Sequence, residues 1–460
     1  MSTNLRHKLP PGPRSLFPWR QLIALRRDPP NFLRRMAEKY GDVSHFQVGG
    51  QKVFLINHPD LIKDVLVTRQ HLFTKGDAMR RAKFLLGEGL LTSEGEHHDR
   101  QRRLILPAFH RQRIARYCDL MVAHAARARE LWEDGGAPDI NTEIKRLTMN
   151  IVCDALFGAD VGDEFPRVAA SITGAFNRFH VFGPPGLNPV VLLRSLGPWR
   201  RSAPPNSTAR DTLNAIVYRI IADRRRDGEE DCGDLLSMLL RAEVESGEGG
   251  APMNDTQVRD EVVTLFLAGY ETIANTLTVI LHQLSKHPEE QTRLHAELDE
   301  VLAERLPTAD DIPRLTYAGM LLTETLRNFP PSWINSRRAK EDVEIAGYVV
   351  PAGAMVLMSQ YVMHHDARYF PDPFRFDPER WTEEARRARP EFSYFPFGGG
   401  KRRCIGEGFA LAEGVMLLST IAQRWRFSPV TGNPVEFRPG LIMRPVGDLR
   451  LRVERRSATG

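Results

Sequence analysis

A chain of 460 residues, 42% of them hydrophobic, is long enough to bury a large core. Its four cysteines, Cys118, Cys153, Cys232 and Cys404, are too scattered for a disulfide framework or a paired-cysteine metal knuckle. The formal net charge of +5 is spread through segments of mixed sign such as "ADRRRDGEED", which excludes a basic tract for nucleic acid. Nothing near Met1 has the apolar core of a signal peptide, and no window reaches the roughly 20 apolar residues of a spanning helix, so the reading is a soluble, cytoplasmic protein without a membrane anchor.

Two short alternating runs in "VSHFQVGGQKVFLINHP" meet at Gly49-Gly50 and predict a β-hairpin. Helical patterns dominate from there to Arg327. In "GEHHDRQRRLILPAF", His98 and Arg102 stand four apart on one helical face, whereas His97 and His98 are adjacent and diverge. That spacing argues for a basic face turned toward carboxylates and against a zinc site. Loops are expected over 181–206 and 243–253. A long helix is predicted from Asn254 to His287, with Asn254 and Gln257 as a capping box and Pro288 as its stop. Its middle is apolar all round, as a central buried helix requires.

Inside that helix lies "AGYET". Glycine in a helix interior costs about 1 kcal/mol relative to alanine, so Ala268-Gly269 marks a place where something approaches the backbone closely. A flat or small ligand and a helix–helix crossing both satisfy this. Thr272 is placed to bond back to the Ala268 carbonyl. In "TETLRNFPP", Glu324 and Arg327 pair at i and i+3 on a helix rich in leucine, and Arg380 of "DPERW" is a further partner for a buried pair. Strand-like pieces such as "YVVPAGAMVLMSQ" follow Pro330, which makes the fold mainly α with a smaller β portion.

Near the C-terminus, "FPFGGGKRRCIGEGFA" surrounds Cys404 with five glycines and three basic residues. A helix predicted over Ile405–Gln423 sets Cys404 at its positive end, and this environment favours a thiolate. A nucleophile and a metal ligand are both open on these grounds.

In this order the motifs resemble the cytochrome P-450 superfamily of haem-thiolate monooxygenases. "FGGGKRRCIG" matches the family's cysteine loop at Phe397, Gly400, Arg402, Cys404 and Gly406. "AGYET" is similar to its oxygen-binding groove, "ETLR" to its ExxR pair and "DPERW" to its partner-arginine loop. The resemblance spans nearly the whole chain and implies the cytochrome P-450 fold, with residues 1–460 as one haem domain.

It further implies haem b as cofactor, Cys404 as the axial thiolate and Phe397 as its shield. His98, Arg102, Arg337 and Arg402 would hold the haem propionates, and Ala268 and Gly269 would flank the cofactor. Thr272 and Glu271 would deliver protons to dioxygen, and Glu324, Arg327 and Arg380 would form a structural triad. Electrons from NAD(P)H would arrive through a reductase and a separate ferredoxin or flavodoxin, docking on Lys401, Arg403, Arg100 and Arg103. The substrate is expected to be apolar, a terpenoid, fatty acid, steroid or polyketide, in a pocket including Phe84, Phe179, Phe182, Leu265, Trp333 and Ile334. Arg80, Arg81 and Arg178 are candidates for a substrate carboxylate. A peroxide-using relative is the nearest alternative, against which the Glu271-Thr272 pair counts; a non-enzymatic haem sensor is the more distant one.

Overall fold

The computed structural model describes residues 9–13, 18–48, 51–159, 207–226, 234–241, 253–430 and 435–456. Its helices, in chain order, are α1 (Pro18–Arg27), α2 (Pro29–Tyr40), α3 (Pro59–Lys63), α4 (Asp77–Leu86), α5 (Gly95–Ile105), α6 (Arg111–Glu130), α7 (Ile140–Phe157) and α8 (Ser207–Arg226). They continue as α9 (Leu235–Arg241), α10 (Asp255–Lys286), α11 (Pro288–Leu302), α12 (Thr316–Asn328), α13 (Gln360–His364), α14 (Glu383–Arg387) and α15 (Glu407–Ala422). The β portion is smaller, as the sequence pattern implies. Strands β1 (Val43–Val48), β2 (Gln51–Ile56), β3 (Phe73–Lys75), β4 (Asn335–Ala339) and β7 (Met355–Met358) build its main sheet. Three two-stranded sheets pair β5 (Val343–Ile345) with β6 (Tyr348–Val350), β8 (Trp425–Pro429) with β11 (Leu451–Arg455), and β9 (Glu436–Pro439) with β10 (Met443–Val446).

Helix α10 organises the helical part. The Asn254 side chain accepts from the Gln257 N–H at 2.9 Å while the Gln257 side chain accepts from the Asn254 N–H at 3.0 Å, so both ends of the predicted capping box are made. At 1.5 Å per residue the helix is about 48 Å long. Among the described residues it alone has the length and apolar composition to cross a membrane, which the sequence reading denied to every window; 83% of that apolar stretch is buried within the fold. Helix α7 lies across it, with Val152 against Gly269 and the Thr148 hydroxyl donating to the Tyr270 carbonyl at 3.2 Å.

The main sheet runs β1-β2-β7-β4-β3. The hairpin strands pair antiparallel from Val43↔Ile56 to Val48↔Gln51, and β2 continues parallel to β7 from Val53↔Met355 to Ile56↔Met358. Residues near the start of the chain are thereby joined to residues three hundred positions later.

Glu324 and Arg327 on α12 are fully buried. All five guanidinium donors are used: Nε and Nη2 reach Glu324 at 2.8 and 2.7 Å, and the remaining N–H groups meet the carbonyls of His364, Pro373 and Arg375. Glu324 also accepts from the Asp377 N–H at 2.9 Å and the Trp381 indole N–H at 2.8 Å. Arg380 stands farther off than a hydrogen bond, its Nε 3.7 Å from Glu324, and its Nη2 donates to the Asp372 carbonyl instead. The cluster thus rests on backbone carbonyls and Trp381 more than on a second arginine.

Removing one partner strands a buried charge. Arg327→Ala is expected to cost about 3–5 kcal/mol in chemical unfolding, whereas Arg380→Ala, losing one carbonyl contact and the longer ion pair to Glu324, is expected to cost about 1–2 kcal/mol. Equal losses in the two variants would contradict this ranking.

Candidate active site

A cavity of about 390 Å³ opens between α10 and the loop that precedes α15. One wall is α10, through Leu265, Ala268, Gly269, Thr272 and Thr276; the opposite wall carries Phe397, Cys404 and Gly406. Leu85, Leu90, Ile334, Leu441 and other aliphatic groups close the remaining sides.

Cys404 is surrounded by protein, yet its exposed surface faces this cavity. The helix begins at Glu407 with Gly406 as N-cap, so Cys404 lies just outside it. The Gly406 N–H donates to the sulfur, and Arg102 and Arg403 lie close enough to favour negative charge. Burial nevertheless outweighs them and pushes the thiol up to about 11. Burial thus opposes the arginines and the Gly406 N–H, and a cationic metal bound to the sulfur would supply further stabilisation of the thiolate. The loop glycines also serve a different purpose. Gly400 adopts φ +67°, and a Cβ there would lie 2.0 Å from the Leu66 carbonyl, so the glycine permits close packing and not a further N–H to sulfur.

Six basic side chains, Lys75, His98, Arg102, Arg337, Arg402 and Arg403, line the cavity. Around them Arg402 donates to the Ser93 carbonyl at 2.8 Å and pairs with Glu94. Arg102 donates to the Arg403 carbonyl at 2.9 Å, and His98 Nδ1 lies 3.1 Å from Asp99. Burial, reinforced by the Arg402 charge, holds Lys75 down to about 6, His98 to about 4 and Arg337 to about 10. Such mutual repulsion is relieved by a ligand bearing carboxylates. A flat cofactor with an apolar body, two carboxylates and a metal that accepts sulfur fits this donor set.

On the α10 wall the Thr272 hydroxyl donates to the Ala268 carbonyl at 2.8 Å, as its position in the helix predicts. Ala268 faces the cavity; at Gly269 an added Cβ would meet Val152 at 3.1 Å. The helix crossing leaves no room for a side chain at Gly269, and both residues line the cavity. Glu271 does not line the cavity. It is buried 3.8 Å from Arg444 on β10, and both Arg444 and Lys145 on α7 oppose the upward pull of burial on its carboxyl.

Two pocket residues are placed elsewhere than expected. Phe84 is 43% exposed on the outer side of α4, beneath the Arg210 guanidinium, because Ala78, Ala82 and Leu85 occupy the cavity face. Trp333 is fully buried, donating to the Gly440 carbonyl at 3.0 Å, while its neighbours Ser332 and Ile334 line the cavity. Arg80 and Arg81 are not part of the cavity wall, and Phe179, Phe182 and Arg178 lie outside the described residues. Sequence reasoning missed Lys75, Glu94 and Trp381. Lys75 sits on a three-residue strand whose pattern gives no signal; Trp381 was visible beside Arg380 in "DPERW".

Two of the four bases expected to dock a partner are already paired, Lys401 with Asp99 at 3.2 Å and Arg403 with Glu407 at 2.6 Å. Among the described residues no group of three or more His, Cys, Asp or Glu is placed to hold a bare metal ion.

Residues 10–450 match the family described as Cytochrome P450, and the chain belongs to it. It is 37% identical over 454 residues to cyclooctatin synthase of Streptomyces melanosporofaciens, covering 97% of this chain and 95% of that protein. It is 39% identical to cyclooctat-9-en-7-ol 5-monooxygenase of the same organism, covering 89% and 88%. Against pentalenene oxygenase of Streptomyces avermitilis the identity is 33%, with 93% and 92% covered. The protein is a haem-dependent monooxygenase of an apolar organic substrate that takes electrons from a separate redox partner.

Arg337 lies half-buried among these like charges. Its replacement by methionine is expected to speed haem transfer to apomyoglobin by about tenfold, the equivalent of about 1.4 kcal/mol. An unchanged transfer rate would remove Arg337 from the set that holds the cofactor.

Proposed function

We propose that this monooxygenase hydroxylates or epoxidises a neutral cyclic terpenoid. The observation that carries this reading is the largely aliphatic lining of the cavity beside the basic cluster, which includes Ala78, Leu85, Leu90, Leu265, Ile334 and Leu441. Such a surface rewards apolar shape and offers no charged anchor to a fatty acid. The names of the relatives support the same class, since they specify pentalenene and cyclooctat-9-en-7-ol.

Haem, when bound, supplies activation of dioxygen and transfer of one oxygen atom to the substrate. Cys404 would ligate its iron, with Phe397 and the Gly406 N–H limiting access of water to the sulfur and fixing its orientation. Lys75, His98, Arg102, Arg337 and Arg402 would hold its carboxylates. Thr272 offers a hydroxyl oxygen to the cavity while its proton is engaged by Ala268, so it can hold a water there. Glu271 stands behind it as a proton reservoir between Lys145 and Arg444, reaching Thr272 only by a side-chain swing. The whole chain, as one haem domain in the cytoplasm, would receive electrons from NAD(P)H through a ferredoxin or flavodoxin. Arg100 and Arg103 are the docking bases for which this role is proposed most directly, given the pairing of Lys401 and Arg403.

Reduced protein with carbon monoxide is expected to give the strongly red-shifted Soret band of thiolate ligation, and pentalenene or cyclooctat-9-en-7-ol a substrate-induced spin-state shift followed by an oxygenated product. A shift with fatty acids and with neither terpenoid would overturn the substrate class. With Thr272→Ala, the fraction of reductant recovered in product is expected to fall by roughly tenfold or more while reductant consumption continues. Unchanged coupling would favour the peroxide-using alternative.

A further inference from the structure

Between α4 and α5 the chain passes through Gly87–Thr92, and Leu90 and Leu91 of this loop line the cavity. The loop is fastened from two sides. From α10, Asp260 accepts the Glu88 N–H at 2.8 Å and Glu261 accepts the Leu90 N–H at 2.9 Å. Arg259 reaches back to the Leu85 carbonyl at 3.0 Å, and its other nitrogens hold Asp260 at 2.8 Å and Asn214 of α8 at 2.7 Å. From β3, the Lys75 ammonium donates to the carbonyls of Leu90 and Leu91. The fit leaves no slack: a Cβ at Gly87 would lie 2.1 Å from the Asp260 carboxylate, and one at Gly89 would lie 2.4 Å from Thr264 Oγ1 and 2.5 Å from the Asp260 carbonyl. Gly87 also takes φ +65°.

Three consecutive buried polar side chains, Arg259, Asp260 and Glu261, are expensive to maintain inside a largely apolar helix unless each is hydrogen-bonded. None of the three lines the cavity. Their hydrogen bonds to the loop backbone are what they accomplish.

We propose that Asp260 and Glu261 are positioning residues that select among substrates by fixing Leu90 and Leu91 at the cavity wall. The proposal rests on the monooxygenase site described above but concerns the shape of its substrate side. Loss of the acceptor at Glu261 leaves the Leu90 N–H buried without a partner, at a cost comparable to displacing the loop. Glu261 is held largely protonated by burial, its carboxyl raised to about 8, so glutamine reproduces both its shape and its acceptor.

The test uses haem-loaded protein and three variants, Glu261→Leu, Glu261→Gln and Gly89→Ala. Hydrogen exchange of the 85–94 peptide reports the loop, and spectral titration with 1-phenylimidazole and the bulkier N-tritylimidazole reports the cavity. Glu261→Leu is expected to lose protection in this peptide and to shift the ratio of the two dissociation constants by about tenfold in favour of the bulkier probe. Gly89→Ala should follow it, while Glu261→Gln should keep the parent's protection and ratio. Loss of protection with an unchanged ratio would overturn the proposal, as would a shift in Glu261→Gln as large as in Glu261→Leu. If neither Glu261→Leu nor Gly89→Ala takes up haem while Glu261→Gln does, the clamp serves folding and the selective role is lost. Failure of the monooxygenase reading is distinguishable, because the parent itself would then show no red-shifted carbon monoxide band and no spectral response to either imidazole.

Discussion

The Glu324–Arg327 pair is the contact on which the site depends. Two charges fully out of water are tolerable only when every donor and acceptor is matched, and here all five guanidinium N–H groups and both carboxylate oxygens are engaged. Those partners come from α12, from the end of α13 and from the irregular segment around Pro373–Trp381. The same segment precedes the cysteine loop, with the short helix α14 between them. His364, whose carbonyl accepts from Arg327, also takes the Phe395 N–H on its ring at 3.1 Å, so the anchoring extends to within a few residues of Phe397. The start of the cysteine loop is thus tied to an interaction that does not line the cavity.

Helix α10 supplies the opposing surface, and its two faces have separate tasks. Ala268, Thr272 and Thr276 address the cavity, Tyr270 and Glu271 face the α7 side and β10, and Gly269 lies between, lining the cavity and meeting Val152 of α7. One residue of rotation separates a group that can meet a ligand from one that can only influence it. This division explains how a helix so apolar in its middle can still carry a carboxylate there, with Lys145 and Arg444 partly offsetting its desolvation.

Much of this was legible in the sequence wherever a local rule determines the outcome. The Asn254–Gln257 cap, the back-bond from Thr272 and the i, i+3 pairing of Glu324 with Arg327 follow from helix geometry alone. What could not be read depends on which way a side chain turns. Trp333 was expected in the cavity, but its ring turns away to donate to the Gly440 carbonyl while the residues on either side of it, Ser332 and Ile334, line the cavity. Phe84 failed for the corresponding reason on a helix. Lys75 was missed because its role depends on long-range packing of β3 beside β4, for which a single lysine before a glycine carries no signal. For Cys404 the neighbouring arginines were legible in the sequence, whereas the burial that opposes them was not.

The parallel pairing of β2 with β7 has a bearing on synthesis. A ribosome releases the strand Gln51–Ile56 long before its partner Met355–Met358 exists, and Cys404 emerges later still. For most of translation the early hairpin has an open edge, and α10 waits without the C-terminal elements that cover it. The cavity is therefore a late product of folding, closed only when nearly the whole chain is available. Cofactor capture then belongs to the final stage of biogenesis, and a nascent chain stalled before that stage would present an unpaired strand edge and an uncovered apolar helix to the quality-control machinery.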